Sequence, residues 1–314
     1  MIYENDSRGL SFTSGFFILI AMGFAGLFTA AIVSIPVWTM MTGTSFTTMK
    51  EGMNDPANAN AVKLIQAISV ILGFLLPAFI TSFLLNRKPL RLMGFRQPIS
   101  IKQIGLVLLI MFMSLFVAGA LGYFNTWIPI PTGWRTAFDK LEETYLRQVE
   151  IMAGLKSLRD YIVGLIIMAF LPALCEESIF RGGLQNFLKR ATNNAWLSII
   201  IVSILFSLVH FSYYGFLSRF FLGIVLGLIY YYTGSLWLSI LGHFFNNALA
   251  ITQLYFYSRE GKNIREAMSE EVPYYWGIAA LPILIFLFLL LKKYSPGISN
   301  GYELKDVNRI NLRE

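Results

Sequence analysis

The stretch Glu176-Glu177-Ser178-Ile179-Phe180-Arg181 sets two acids and a guanidinium inside a long apolar run. Read as a helix, Glu177 and Arg181 are i,i+4 neighbours in the favourable acid-before-base order. Glu176 lies about 100° away around the axis and is not matched to Arg181. The spacing divides the labour: Arg181 neutralises and holds Glu177, and Glu176 stays free. An unpaired carboxylate where water is scarce suits a general base that takes a proton from water. The chain has two histidines, each four residues from a possible partner: Phe206 precedes His210, and His243 precedes Asn247. Each spacing puts a pair on one helix face, while Asn246 points elsewhere. One base and a set of neutral polar donors make a constellation fit for hydrolysis.

The elements that must position these residues are membrane helices. The chain has 314 residues, 56% hydrophobic and 14% charged, with net charge +7 and mean hydropathy +0.60. Soluble chains run nearer 25% charged, so this composition excludes a soluble globular domain, and the sparse charge excludes a disordered polyelectrolyte. A single cysteine, Cys175, allows no intramolecular disulfide. Eight apolar stretches predict an all-α, polytopic membrane helix bundle: 14–38, 64–85, 104–128, 161–188, 195–213, 216–232, 236–257 and 274–291. Only residues 161–175 separate Asp160 from Glu176, about 22 Å of helix. A bilayer core is about 30 Å thick, so the helix continues past both glutamates and sinks them at membrane depth, where an ionisable residue marks a functional site.

Four regions follow: 1–128 with three undiagnostic helices, an amphipathic loop at 129–160, a polar-motif core at 161–257, and a last helix with a basic tail at 258–314. Arg87, Lys88, Arg91, Arg96 and Lys102 crowd the second loop without an acid; Lys292, Lys293, Lys305, Arg309 and Arg313 lie near the C-terminus. An even span count puts both groups on one side, which the positive-inside rule makes cytoplasmic, together with both termini. Anionic lipid headgroups account for the basic excess, so no nucleic-acid partner is expected. The turn at Thr192-Asn193-Asn194 folds two helices into a hairpin, with Glu176 and His210 each 17 residues from Asn193. That levels the two side chains and predicts a polar pocket sunk into the membrane and open to the cytoplasm. The amphipathic loop is expected to lie on the membrane surface as a gate or lid.

The ordered set resembles the CPBP family, the CAAX-protease and bacteriocin-processing membrane endopeptidases that include the type II CAAX prenyl proteases. That family's pattern of Glu-Glu-x-x-x-Arg, Phe-x-x-x-His and His-x-x-x-Asn/Asp is met by Glu176, Glu177 and Arg181, by Phe206 and His210, and by His243 and Asn247. From the chain's own residue frequencies, the set arises by chance on the order of once in a few thousand. The resemblance implies a glutamate-based intramembrane protease; separately, no organellar targeting signal is evident in the sequence, which points to a bacterial plasma membrane. Glu176 would be the base, His210 would hold and polarise the water, and His243 and Asn247 would donate to the oxyanion. Glu177 and Arg181 would fix the base helix, and Phe206 would pack beside His210. The substrate would be a peptide or membrane protein, prenylated or not.

Rival readings use the same residues. Glu176, His210 and His243 could hold a divalent metal, but His-Glu-x-x-His is absent and Asn247 is a poor zinc ligand; the expectation is no cofactor. A cysteine protease would need Cys175 activated, and an apolar run with only a distant Arg181 does not do that. A transporter, or a membrane immunity or scaffold protein, would bind without chemistry. Walker, Rossmann and Cys-x-x-Cys patterns are absent, which counts against ATP-driven pumps and redox carriers.

Overall fold

A computed structural model describes residues 6–262, 265 and 272–295. It is 82% helical, and the described residues form no strand, only an isolated bridge between Ser7 and Asn86. The main helices are α1 (Phe12–Thr42), α2 (Pro56–Leu85), α3 (Ile101–Asn125), α4 (Thr132–Met152), α5 (Leu158–Thr192), α6 (Ala195–Leu208), α7 (Phe216–Thr233), α8 (Leu236–Arg259) and α9 (Tyr274–Lys293). Each expected apolar stretch is a helix. Six of them, all but α6 and α8, are long and apolar enough to cross a membrane. The protein is an integral, multi-pass membrane protein.

Local chemistry sets the boundaries. Ser11 caps α1 by accepting from the Ser14 amide, capping boxes at Ser100/Gln103 and Ser157/Asp160 start α3 and α5, and Asn194 caps α6; each satisfies amides that a helix start leaves unpaired. Asn193 and Gly234 end α5 and α7 in the left-handed conformation, which Asn and Gly tolerate best. The segment expected as an amphipathic loop is largely helix α4. Trp134, Phe138, Leu141, Tyr145, Val149 and Met152 recur every three or four residues, which is an apolar helical stripe.

Helix α6 stops at Leu208 rather than near residue 213. The chain turns at 209–215, where Phe211 takes a φ of +50°, so His210 stands on a loop and not on a helical face. Its four-residue link to Phe206 survives in another form: His210 Nδ1 lies 2.8 Å from the Phe206 carbonyl, one of the acceptors left open at a helix end.

Helix α5 runs through the middle of the bundle. Every residue of Ser178–Gln185 is buried, whereas α1 and α9 expose Phe17, Phe24, Phe28, Ile278, Ile285 and Leu289 by more than half, as lipid-facing surfaces do. One apolar core joins α1, α2, α5, α6 and the start of α8; a second joins α3, α7 and α9. Small residues let backbones close up, as is usual between membrane helices: a Cβ on Gly26 would lie 2.0 Å from the Leu72 carbonyl oxygen, and one on Gly277 2.6 Å from that of Phe116. Among the described residues, three π-helical turns interrupt the bundle, at Ile71–Leu75, Leu165–Phe170 and Ser178–Gln185. The first two precede Pro77 and Pro172. In each, the wider turn includes the carbonyl four residues before the proline, of Gly73 or Met168, which the ring would otherwise strike.

The basic second loop and the end of α9 share one end of the bundle: Gln103 donates to Ser295 at 2.9 Å, and Lys102 sits over the Tyr294 ring. Arg87 there donates its amide to the Asp6 carbonyl. Lys305, Arg309 and Arg313 lie outside the described residues.

Candidate active site

Glu177 and Arg181 are both fully buried, and Arg181 Nη1 donates to Glu177 Oε1 at 2.8 Å. The i,i+4 pair is formed as the spacing required. Burial of two charges is tolerated only when the remaining polar atoms also find partners. Ser239 on α8 donates to Glu177 Oε2 at 2.8 Å, and Arg181 Nη2 donates to the Gly223 carbonyl on α7 at 3.2 Å. The guanidinium also stacks 4.6 Å above the Phe206 ring. One ion pair thus ties α5 to α6, α7 and α8.

The pair also orients a histidine. His243 Nδ1 lies 2.9 Å from Glu177 Oε1. Since the carboxylate beside Arg181 only accepts, Nδ1 carries the proton, and the imidazole turns Nε2 towards Glu176, 3.9 Å from its Oε2. That separation is too long for a hydrogen bond. Glu176 Oε2 is buried and has no hydrogen-bond partner. A buried polar atom left open is costly and marks where a proton-bearing ligand belongs.

His210 completes the group from the loop after α6. Its Nδ1 must donate to the Phe206 carbonyl, which leaves Nε2 as an acceptor in the neutral ring. Phe206 packs edge-on against both histidines, at 5.1 Å to His210 and 5.7 Å to His243. Glu176, His210, His243 and Asn247 all line one cavity of about 540 Å³. Asn247 Oδ1 accepts from Asn246 at 3.3 Å.

The cavity lies at the end of the bundle away from the basic loops, not beneath them as the hairpin argument expected. Its walls come from Met53 after α1, the first half of α2, α4, and the second half of α8. The reason is packing: between Glu176 and the basic end, α5 is sealed by Leu19, Met93 and Leu236, whose atoms a Cβ on Gly182 or Gly183 would meet at 2.3–3.2 Å. Helix α4 covers the cavity with Tyr145, Gln148, Val149 and Met152. It is fastened on several sides: Glu142 accepts from Ser212 at 2.7 Å, Asp139 accepts from Tyr214, and Arg147 donates to the Asn54 carbonyl at 3.1 Å. Arg265 binds Glu143 through two nitrogens, at 2.7 and 3.1 Å, and its hydrogen bond holds the Glu143 carboxyl below the usual range.

A family profile, type II CAAX prenyl endopeptidase Rce1-like, matches residues 158–249. Over this segment the chain is similar to the CAAX-protease family. The matched stretch contains every motif residue gathered at the cavity, and the similarity supports a membrane protease. No curated protein and no solved structure shows significant similarity to the chain. The walls that α2 and α4 contribute lie outside the family segment.

Two residues of this core and its walls lie outside the sequence motifs. Ser239 stands four residues before His243, and that spacing, which places both on one face of α8, was the available signal. Gln66 on α2 lines the cavity with its Oε1 buried and unpartnered; nothing in the sequence marked it. Among the described residues, no group of three or more His, Cys, Asp or Glu side chains is placed to hold a metal ion. Cys175 is fully buried and is not among the cavity-lining residues. Cys175→Ser is therefore expected to keep full activity per folded molecule, and peptide hydrolysis by the purified variant checks it; loss of turnover would restore the thiol as a nucleophile.

Proposed function

We propose that the protein is an intramembrane endopeptidase in which Glu176 activates water for attack on a peptide bond. The observation that carries the reading is the open Glu176 Oε2, buried at the cavity beside two histidines whose other nitrogens are committed. Water donates to Glu176 and to His210 Nε2. Glu176 takes one proton as the oxygen bonds to the carbonyl carbon. His243, protonated on both nitrogens, donates Nδ1–H to Glu177 and Nε2–H to the oxyanion, with the Asn247 amide as second donor. The charges then balance, with Glu176 and Glu177 against Arg181 and His243. Glu176 passes its proton to the leaving nitrogen, the C–N bond breaks, and an acid and an amine are released. Donors aimed at developing charge in a site poor in water are worth far more than in bulk solvent.

The reaction as written uses no metal. Hydrolysis of a fluorogenic peptide library by purified protein in detergent is expected to be unchanged in strong chelator. Activity lost in chelator and restored by zinc would overturn that part. Both termini are proposed to be cytoplasmic, on the strength of the basic loops gathered at one end.

A further inference from the structure

The loop that carries His210 holds a strained residue next to it. Phe211 takes a φ of +50°, a region that a bulky side chain enters only at a cost. Its ring is 72% exposed, so packing of that ring does not hold the conformation. Strain of this kind persists only where the neighbours over-determine it. Upstream, the end of α6 does so: the His210 amide donates to the Ser207 carbonyl at 3.3 Å, and that of Phe211 to the Leu208 carbonyl at 3.1 Å. At the base of the loop, Ser207 donates to the Phe216 carbonyl at 2.7 Å. Asn125, at the end of α3, donates to the Tyr213 carbonyl at 3.0 Å, and the Tyr213 hydroxyl donates to the Ile128 carbonyl at 3.3 Å.

The residues on either side of Tyr213 are held by the cover helix. Ser212 is buried and lies two residues from His210. It accepts from the Gly215 amide at 3.1 Å and donates to Glu142 on α4 at 2.7 Å, a bond of the stronger kind where the acceptor is a carboxylate. Tyr214 donates to Asp139, and Phe138 stacks on the Tyr213 ring with centroids 4.8 Å apart. Phe138, Glu142 and Tyr145 stand four and three residues apart, on one face of α4, and Tyr145 packs against Arg219 in the first turn of α7. The helix that roofs the cavity is thus seated along the histidine loop. It lies outside the matched segment 158–249, and His210 lies within it.

We propose that α4 completes the active site, with Glu142 as a positioning residue that acts through Ser212 to keep the His210 loop in its working shape. This rests on the peptidase reading and extends it to a part of the chain beyond the matched segment. With the cover in place, the loop is fixed on both sides of Phe211. With the cover raised to admit a peptide, Ser212 and Tyr214 lose their partners, Phe211 relaxes towards negative φ, and His210 turns from the water. Hydrolysis is thereby confined to a covered cavity. Glu142 touches neither water nor substrate and takes no proton.

The chain has two histidines, so protein isotope-labelled in histidine alone gives separate ring signals for His210 and His243 in nuclear magnetic resonance, and His210→Ala assigns them. In detergent-purified Glu142→Ala the His210 signal is expected to shift or split while that of His243 moves far less. Ser212→Ala, which cuts the same bond from the loop side, should do likewise. Glu142→Gln keeps an acceptor and should restore the wild-type spectrum. On a fluorogenic peptide that the wild type cleaves, kcat of Glu142→Ala should fall about tenfold with KM within about twofold, as a small misplacement of a catalytic group allows. Adding Phe211→Asn, a residue that tolerates the left-handed backbone, should return part of that loss. A His210 signal that stays in place in both Glu142→Ala and Ser212→Ala overturns the proposal. So does a loss carried wholly by KM, which would make α4 a substrate-binding wall alone, and so do equal shifts of both histidines, which would mean a general loosening of the bundle. A wild type that cleaves nothing would sink the peptidase reading, and the two signals would still decide whether α4 holds the loop. Should Glu142→Ala fail to fold, Ser212→Ala decides in its place.

Discussion

Glu176→Gln is expected to lower peptide hydrolysis about 10³-fold, within the range that a general base contributes, while the protein stays folded. Both halves of this result follow from one atom. Glu176 Oε2 has no hydrogen-bond partner within the protein, so an amide in its place breaks no internal bond. What the amide cannot do is accept a proton from water. Initial rates on a fluorogenic peptide, set beside thermal unfolding in the same detergent, separate the effects. A variant that cleaves at the wild-type rate would end the glutamate mechanism, and one that unfolds would show Glu176 to be structural.

The second large effect is on stability. Arg181→Met removes the cation from a pair in which both side chains are fully buried, leaving the Glu177 carboxylate without its guanidinium partner at the centre of the bundle. Breaking one side of a buried ion pair costs about 3–5 kcal/mol, a large share of the stability of most proteins. The double variant Glu177→Gln/Arg181→Met is expected to recover most of that loss, since the carboxylate that the single change strands is gone as well. It should not recover activity: the negative charge that supports a doubly protonated His243 is gone, although a side-chain oxygen still faces Nδ1. Thermal melts of the two variants and rates per folded molecule test this. A double variant as unstable as Arg181→Met would show that packing by the guanidinium, against Phe206 and Gly223, outweighs charge balance.

Much of this was legible in the sequence because membrane burial makes polar residues conspicuous. The eight helices follow from apolar length, and the Glu177–Arg181 pair follows from a spacing that survives even though a π-helical turn begins at Ser178. Glu176, His210, His243 and Asn247 do share one cavity. Other features were out of reach for identifiable reasons. His210 was placed on a helix because Phe206 to Val209 read as one; the Ser212-Tyr213-Tyr214-Gly215 stretch was the turn signal. The direction in which the cavity opens depends on which half of α5 is sealed, a matter of Leu19 and Leu236 packing on Gly183 and Gly182. Periodicity in α5 alone carries no such information. Gln66 came from a helix with no motif, and only its position in space sets it apart.

Cys175 has a consequence that is practical rather than mechanistic. The one native thiol is enclosed in the bundle, so the protein's exterior is silent to maleimides and spin labels without any residue having to be removed first. Probes placed in pairs, for instance at exposed Lys140 on the cover helix and exposed Lys50 across the mouth, would report on one distance each. Distance distributions between such labels, recorded with and without bound peptide, would reveal whether the cover moves as a rigid bar or unfastens at one end.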